Sequence, residues 1–229
     1  MVIPRRHERW ARGVRIIPSI YPPIGLFDEV ADPADLEAVF AVEQLTNPRL
    51  REEVGTLALV PREDRISGPG TTPIMAAFTH PNREGSRFSP GGYGVYYVAD
   101  GVETAIAETR YHRERLLRYQ DIGPQRLQMR AYVGAVEAEW VDLRGLRGEY
   151  PELYARDSYA ASQPFGQGCR DERAWGIAYH SVRHDEGQCL GVFRPAACRP
   201  VRQSSHYEYC YDGQRISHVA RIIELASAR

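Results

Sequence analysis

The C-terminal part of the chain contains five β-rich segments in succession, and no other feature restricts the fold as strongly. They read RLQMRAYVGAVEAEWVDL, WGIAYHSV, CLGVFRP, HYEYCYDG and ISHVARIIEL. Gly, Pro and Asp separate them, a pattern typical of strands joined by turns, and the only helical signal among them is a short helix in PELYARDSY. The sequence therefore predicts an α+β domain around a bent, mostly antiparallel sheet.

The N-terminal part is different in character. Residues 1 to about 30 are Pro-rich and predict an irregular arm that packs on the domain or on a partner. Asp32-Pro33 and Asn47-Pro48 are typical helix starts, and they predict helices over about 33–45 and 48–55. We therefore divide the 229 residues into an arm with helical elaboration (1–58) and a main domain (59–229), which together form one compact unit.

The middle of the chain predicts a loop, a strand and a helix in that order. Residues 68–94 are rich in Gly, Pro, Thr, Ser and Asn and predict a long functional loop. Val95–Ala99 follows as a short strand, and ETAIAETRYHRERLLRY as an amphipathic helix. Glu108 projects about 60° beyond the edge of the apolar stripe, so it can border the core and face a cleft.

The composition excludes several classes of function. Lys plus Arg number 29 against 30 Asp plus Glu, so no overall field holds the chain on nucleic acid or on anionic lipid. Every basic side chain is Arg. No apolar run approaches the roughly 18 residues of a membrane span, and the N-terminus has no signal-peptide core, so we expect a cytoplasmic protein. The four cysteines lack any CxxC pair, which predicts reduced, mostly buried thiols and no metal site.

Two segments carry residues with chemical potential. The first, RFSPGGYGVYYVA followed by AIAE, spaces Arg87, Tyr97 and Glu108 by 10 and 11 residues. The second, WGIAYHSVR, contains Ser181. The order of the two segments and the residue spacing within the first resemble the signature of the RES-domain family. The resemblance covers roughly residues 60–200. Ser86 and Phe88 stand where that family often has Gly and Trp around the Arg.

The resemblance implies a fold related to the ADP-ribosyltransferase toxins, with helices at the N-terminus and after the signature strand, and NAD⁺ as substrate. A guanidinium such as Arg87 can grip the pyrophosphate, and Tyr97 or Tyr96 can offer an aromatic face to the cationic nicotinamide. Glu108 would stabilise the oxocarbenium-like ribose of glycosidic cleavage. Ser181 would add a hydroxyl contact to the ribose or the amide. His80 and Arg83, in the preceding loop, are further candidates for phosphate contact.

The resemblance further implies the toxin of a toxin–antitoxin pair, blocked by an Xre-type antitoxin over the active site. The acceptor of ADP-ribose stays open between water, phosphate and a host protein. Two other readings remain: a protein-binding module with a vestigial cleft, which would not bind millimolar NAD⁺, and an RNA-acting toxin, whose RNA binding would depend strongly on salt.

Overall fold

The computed structural model describes residues 3–19, 27–28, 30, 32–40 and 56–223. The strands in these residues are β1 (Arg5–Pro18), β2 (Tyr96–Ala99), β3 (Gln125–Asp142), β4 (Gly176–His180), β5 (Gln188–Val192), β6 (Arg202–Tyr211) and β7 (Ile216–Ile222). The helices bounded at both ends are α1 (Thr72–Thr79), α2 (Val102–Tyr119) and α3 (Ser162–Asp171). The α+β class is confirmed, as are the strand and the helix predicted around the central signature.

The seven strands form one sheet in the order β1-β2-β5-β4-β3-β6-β7, with a further pairing between β1 and β3. Five strands therefore follow one another around a closed ring, and β6 and β7 extend from the long strand β3. The β3–β4 pair is parallel and the other pairs are antiparallel, which confirms the mostly antiparallel sheet. The length of β3 allows it to pair with β1 and β6 as well as with β4.

Successive residues of β2 point to opposite faces of the sheet. Tyr96 and Val98 pack into a core that also contains Trp140. Tyr97 and Ala99 pack into a second core, together with Ala105 of α2. Helix α2 thus covers the face of the sheet to which Tyr97 belongs.

The prediction of an irregular N-terminal arm is wrong for most of its described residues. Strand β1 pairs with β3 from Arg5 opposite Val141 to Pro18 opposite Met129, with one irregularity after Trp10. Exposed polar side chains dominate the first half of β1, so its sequence lacks the apolar signal of a strand. Hydrogen bonds to β3 hold this segment extended, and only its second half buries side chains such as Val14 and Ile16.

Two helices were also missed. Helix α1 lies inside the segment predicted as a loop, and it buries Ile74, Met75 and Phe78. The prediction missed it because Gly and Pro residues flank this short apolar stretch. Helix α3 contains two glycines and a proline, which are poor helix formers. It forms because Gly166 packs against the backbone of Phe88, where an added Cβ would lie 2.4 Å from the carbonyl oxygen.

Other sequence predictions concern the N-terminal helices, the cysteines and membrane spans. Asp32 caps a helical start by accepting a 2.9 Å hydrogen bond from the N–H of Ala34, and the helix continues through residue 40. The remainder of the prediction over 33–45, and the helix predicted over 48–55, lie outside the described residues. The four cysteines are free, and all but Cys210 are buried. No described helix has the length and apolar character needed to cross a membrane.

Candidate active site

Arg87 lies in a tight turn that Tyr97 fastens to the sheet. The turn is closed by a 2.8 Å hydrogen bond from the N–H of Ser86 to the carbonyl of Ser89. The Tyr97 hydroxyl accepts the Phe88 N–H at 2.9 Å and shares a 2.9 Å hydrogen bond with the Ser86 hydroxyl. Burial raises the pKa of Tyr97, so it stays a neutral phenol. Its hydroxyl therefore sets the position of Arg87.

The Arg87 side chain is buried in the protein and not exposed to solvent. Nη1 donates to the Leu153 carbonyl at 2.9 Å, and Nη2 to the Ala155 carbonyl at 3.1 Å. Its central carbon lies 5.1 Å from the centre of the Tyr159 ring. Two of the five N–H groups of this side chain thus hold the Pro151–Tyr154 turn and the residue that follows it.

Glu108 is held by Ser181, the partner that the sequence predicted to lie in the same site. The Ser181 hydroxyl donates a 2.6 Å hydrogen bond to Oε1 of Glu108. The Ser181 hydroxyl oxygen in turn accepts the backbone N–H groups of Arg183 and His184, both at 3.0 Å. Ser181 is fully buried, so it orients Glu108 rather than facing solvent.

One face of α2 carries the residues that meet the turn formed by residues 181–187. Thr104, Glu108 and His112 recur every four residues and so lie along one side of the helix. Thr104 forms a 2.9 Å hydrogen bond with Nδ1 of His184. Gly187 has to be a glycine here, because an added Cβ would lie 2.3 Å from the Thr104 hydroxyl oxygen. The helix and the 181–187 turn therefore fit closely beside Glu108.

These contacts bring Arg87, Tyr97, Glu108 and Ser181 to one face of the sheet. A family model described as the RES domain matches residues 62–212, about two thirds of the chain. The chain belongs to the RES-domain family. The matched region holds Arg87, Tyr97, Glu108 and Ser181, and it excludes β1 and β7.

Two further comparisons concern individual proteins. The chain is 30% identical over 206 residues to a Sinorhizobium fredii protein named "Uncharacterized protein y4oC", covering 89% of this chain and 84% of that one. A solved structure titled "Crystal structure of the M.tuberculosis MbcT-MbcA toxin-antitoxin complex" matches with a TM-score of 0.40 and 15% identity, over 57% of this chain and 74% of that one.

Two residues that lie beside these four, His112 and Arg183, were missed in the sequence. His112 follows Glu108 by one helical turn and is an exposed residue. Partial desolvation beside the site, together with the charges of Arg183 and Arg87, lowers its pKa. Arg183 stacks on Tyr111, with 3.3 Å between its central carbon and the ring centre. The signals were the i+4 spacing from Glu108 and the position two residues after Ser181.

His80 and Arg83 occupy a more exposed place. His80 ends helix α1 and its Nδ1 lies 3.1 Å from the Thr79 hydroxyl, while Arg83 follows in an exposed turn. Their contact with phosphate stays a prediction.

A separate cavity of about 110 Å³ is lined by Tyr93, Arg170 and Arg194 among others and includes none of the four signature residues. Sites for ligands of dinucleotide size occupy about 300 Å³ or more, so this cavity is too small for one. Within the described ranges, no three His, Cys, Asp or Glu side chains form a group that could hold a metal ion.

Proposed function

We propose that this RES-domain protein is the toxin of a toxin–antitoxin pair and cleaves the nicotinamide–ribose bond of NAD⁺. The observation that carries the proposal is the Ser181–Glu108 hydrogen bond, which aims a half-buried carboxylate into a site that also contains two buried arginines. A carboxylate and cations held this close suit a substrate that is anionic at its diphosphate and develops positive charge at its ribose.

The chemistry requires little beyond binding and charge stabilisation. The C1′–N bond breaks, and its electron pair passes to the nicotinamide nitrogen and removes that ring's positive charge. Positive charge then develops on the ribose C1′ and ring oxygen. Ser181 occupies Oε1 of Glu108, and no described residue donates a hydrogen bond to Oε2, which can face the oxocarbenium or accept from the 2′-hydroxyl. Water, phosphate or a protein nucleophile then adds at C1′.

We further propose an Xre-type antitoxin as the partner that blocks this site. Asp157 and His112 are exposed beside the buried arginines, so a covering protein could reach the site from solvent. The acceptor decides the biological outcome: transfer to water or phosphate depletes cellular NAD⁺, and transfer to a protein gives mono-ADP-ribosylation.

The test compares Glu108→Gln with wild type after induced expression and in purified form. We expect wild type to arrest growth while intracellular NAD⁺ falls or a protein becomes labelled from labelled NAD⁺. Removing the carboxylate charge should lower nicotinamide release by about 10²–10³-fold, the usual effect of losing one group that stabilises transition-state charge.

Glu103→Gln is the matched control, since Glu103 is an exposed residue on the same helix. It should behave as wild type. Equal toxicity of wild type and Glu108→Gln would overturn the site assignment, and absence of heat on titration with millimolar NAD⁺ would favour a non-catalytic binding module.

A further inference from the structure

Arg183 is a buried cation with little compensation. Its side chain is only 7% exposed, and its Nε is buried without a hydrogen-bond partner in the described part of the chain. One Nη donates to the Arg156 carbonyl. Among the described carboxylates, Asp157 alone lies within ion-pair distance of it, at 3.7 Å, and its side chain is itself 81% exposed. A buried guanidinium is normally paired and fully hydrogen-bonded, so this arrangement leaves capacity for an anion.

Arg87 likewise has little negative charge to compensate its own. Its partners are two neutral carbonyls, and no described carboxylate forms an ion pair with it. Burial is the largest cause of both pKa shifts nearby: the two arginines add to it in lowering the pKa of His112, and they partly offset it where it raises the pKa of Tyr159. The two positive charges therefore act on the same small region, beside the helix that carries Glu108.

The two arginines are also fixed relative to the catalytic carboxylate. The backbone N–H of Arg183 donates to the Ser181 hydroxyl, and that hydroxyl donates to Glu108. Arg87 is fixed from the other side through the turn held by Tyr97. An anion held by both side chains would therefore lie at a set distance from the carboxylate, which is the requirement for placing a ribose between them.

We propose that Arg183 is a second diphosphate-binding residue, which together with Arg87 holds the two phosphates of NAD⁺. The inference rests on the proposed function. The unpartnered Nε of Arg183 and its free Nη protons match the paired geometry that guanidinium groups use with phosphate oxygens.

Asp157 would compete with a bound diphosphate for Arg183. Its carboxylate is held by a 3.0 Å hydrogen bond from the Tyr111 hydroxyl and faces Arg183 from solvent. The diphosphate displaces this carboxylate and takes over its partial compensation of the Arg183 charge. Removing the charge of Asp157 should therefore favour the ligand, whereas removing the charge of Arg183 should disfavour it.

The experiment measures steady-state cleavage of NAD⁺ and of nicotinamide riboside, which has the same scissile bond but no phosphate, together with calorimetric binding of ADP-ribose. For Arg183→Gln we expect the KM for NAD⁺ and the Kd for ADP-ribose to rise by about 10- to 100-fold, the range for a lost charged hydrogen bond, with kcat nearly unchanged. Cleavage of nicotinamide riboside should be unaffected.

Two further variants separate binding from folding. Asp157→Asn keeps the acceptor for Tyr111 and should tighten ADP-ribose binding a few-fold. Arg118→Gln removes an exposed arginine at the end of α2 and should change nothing. A gain in one variant and a loss in the other cannot both come from misfolding.

Failure of this inference differs from failure of the proposed function. If wild type cleaves NAD⁺ but Arg183→Gln leaves KM and Kd unchanged, or slows NAD⁺ and nicotinamide riboside equally, Arg183 is not a phosphate ligand. If wild type cleaves neither substrate yet binds ADP-ribose through Arg183, the inference stands and the catalytic proposal falls.

Discussion

At the scale of single residues, the site depends on hydroxyl groups that hold charged groups in place. Tyr97 was expected to present an aromatic face to nicotinamide, and that role stays a prediction; its hydroxyl is engaged by the Arg87 turn. Ser181 was expected to contact the substrate, a role that is likewise still a prediction, and its hydroxyl hydrogen bond goes to Glu108. Short motifs identify such residues, but which atoms meet depends on packing.

Ser181→Ala tests the holding role. The change removes the hydrogen bond to Glu108 and leaves the N–H groups of Arg183 and His184 without their acceptor. We expect unfolding free energy to fall by about 2–4 kcal/mol, since each buried unsatisfied group costs about 1–3 kcal/mol. Nicotinamide release should fall at least tenfold under conditions where the variant is fully folded.

Denaturant unfolding and single-turnover cleavage provide the two measurements. Ser158→Ala is the control, because the Ser158 hydroxyl accepts one exposed local hydrogen bond. Wild-type cleavage by a folded Ser181→Ala variant would show that Glu108 needs no positioning partner.

At the scale of elements, sequence patterns succeeded where side chains determine the structure. Helix α2 and strand β3 have strong periodicity, and both were predicted within a residue or two of their bounds. Strand β1 and helix α3 were not, because β1 is held by pairing with a strand more than a hundred residues later and α3 by contact with the Arg87 turn. Neither partner can be found in the local sequence. Arg183 and His112 do have local signals, namely their spacing from Ser181 and Glu108, but spacing alone does not indicate which charged side chains face the site.

The two glycines of α3 provide a matched test of that contact. A Cβ on Gly166 would lie 2.4 Å from the Phe88 carbonyl oxygen, whereas one on Gly168 meets nothing within 4 Å. Gly168→Ala should therefore stabilise the protein by about 0.5–1 kcal/mol, the usual helix-interior gain. Gly166→Ala should destabilise it by about 1–3 kcal/mol through overpacking and disturb the Arg87 turn.

Thermal unfolding of both variants measures the difference, and NAD⁺ cleavage shows whether the disturbance reaches Arg87. If the two substitutions have effects of the same sign, the close contact between α3 and Phe88 does not govern the packing of this helix.

At the scale of the whole molecule, one arginine joins distant parts of the ring. Arg144 donates to Asp142 at 2.8 and 2.9 Å, to Glu8 at 2.6 Å and to Gln188 at 2.7 Å. It thereby ties β1 and β5 to the end of β3. Burial alone would raise the pKa of Asp142, but the Arg144 hydrogen bonds outweigh it and lower that pKa; the same arginine lowers the pKa of Glu8.

These shifts predict a pH dependence of stability. A carboxyl whose pKa is lower in the folded state contributes stability that is present above its unfolded pKa, about 4, and is lost as the pH falls through the folded value. The melting temperature of wild type should therefore drop as the pH is lowered below about 4. Arg144→Gln should be less stable at neutral pH and lose less on acidification.

Calorimetric melts across that pH range, with Arg147→Gln as a nearby control, check the expectation. Parallel curves for wild type and Arg144→Gln would show that the cluster contributes little to acid sensitivity.

The closure of the ring through β1 and β3 has a consequence for synthesis. The ribosome makes β1 first, and its partner is complete only 124 residues later, about 6–25 s at ordinary elongation rates. Throughout that interval the nascent chain carries an unpaired strand, open to chaperones and proteases. Glu108 likewise lacks its hydrogen-bond partner until Ser181 has been translated. Chains that end before residue 181 therefore lack the assembled Ser181–Glu108 contact.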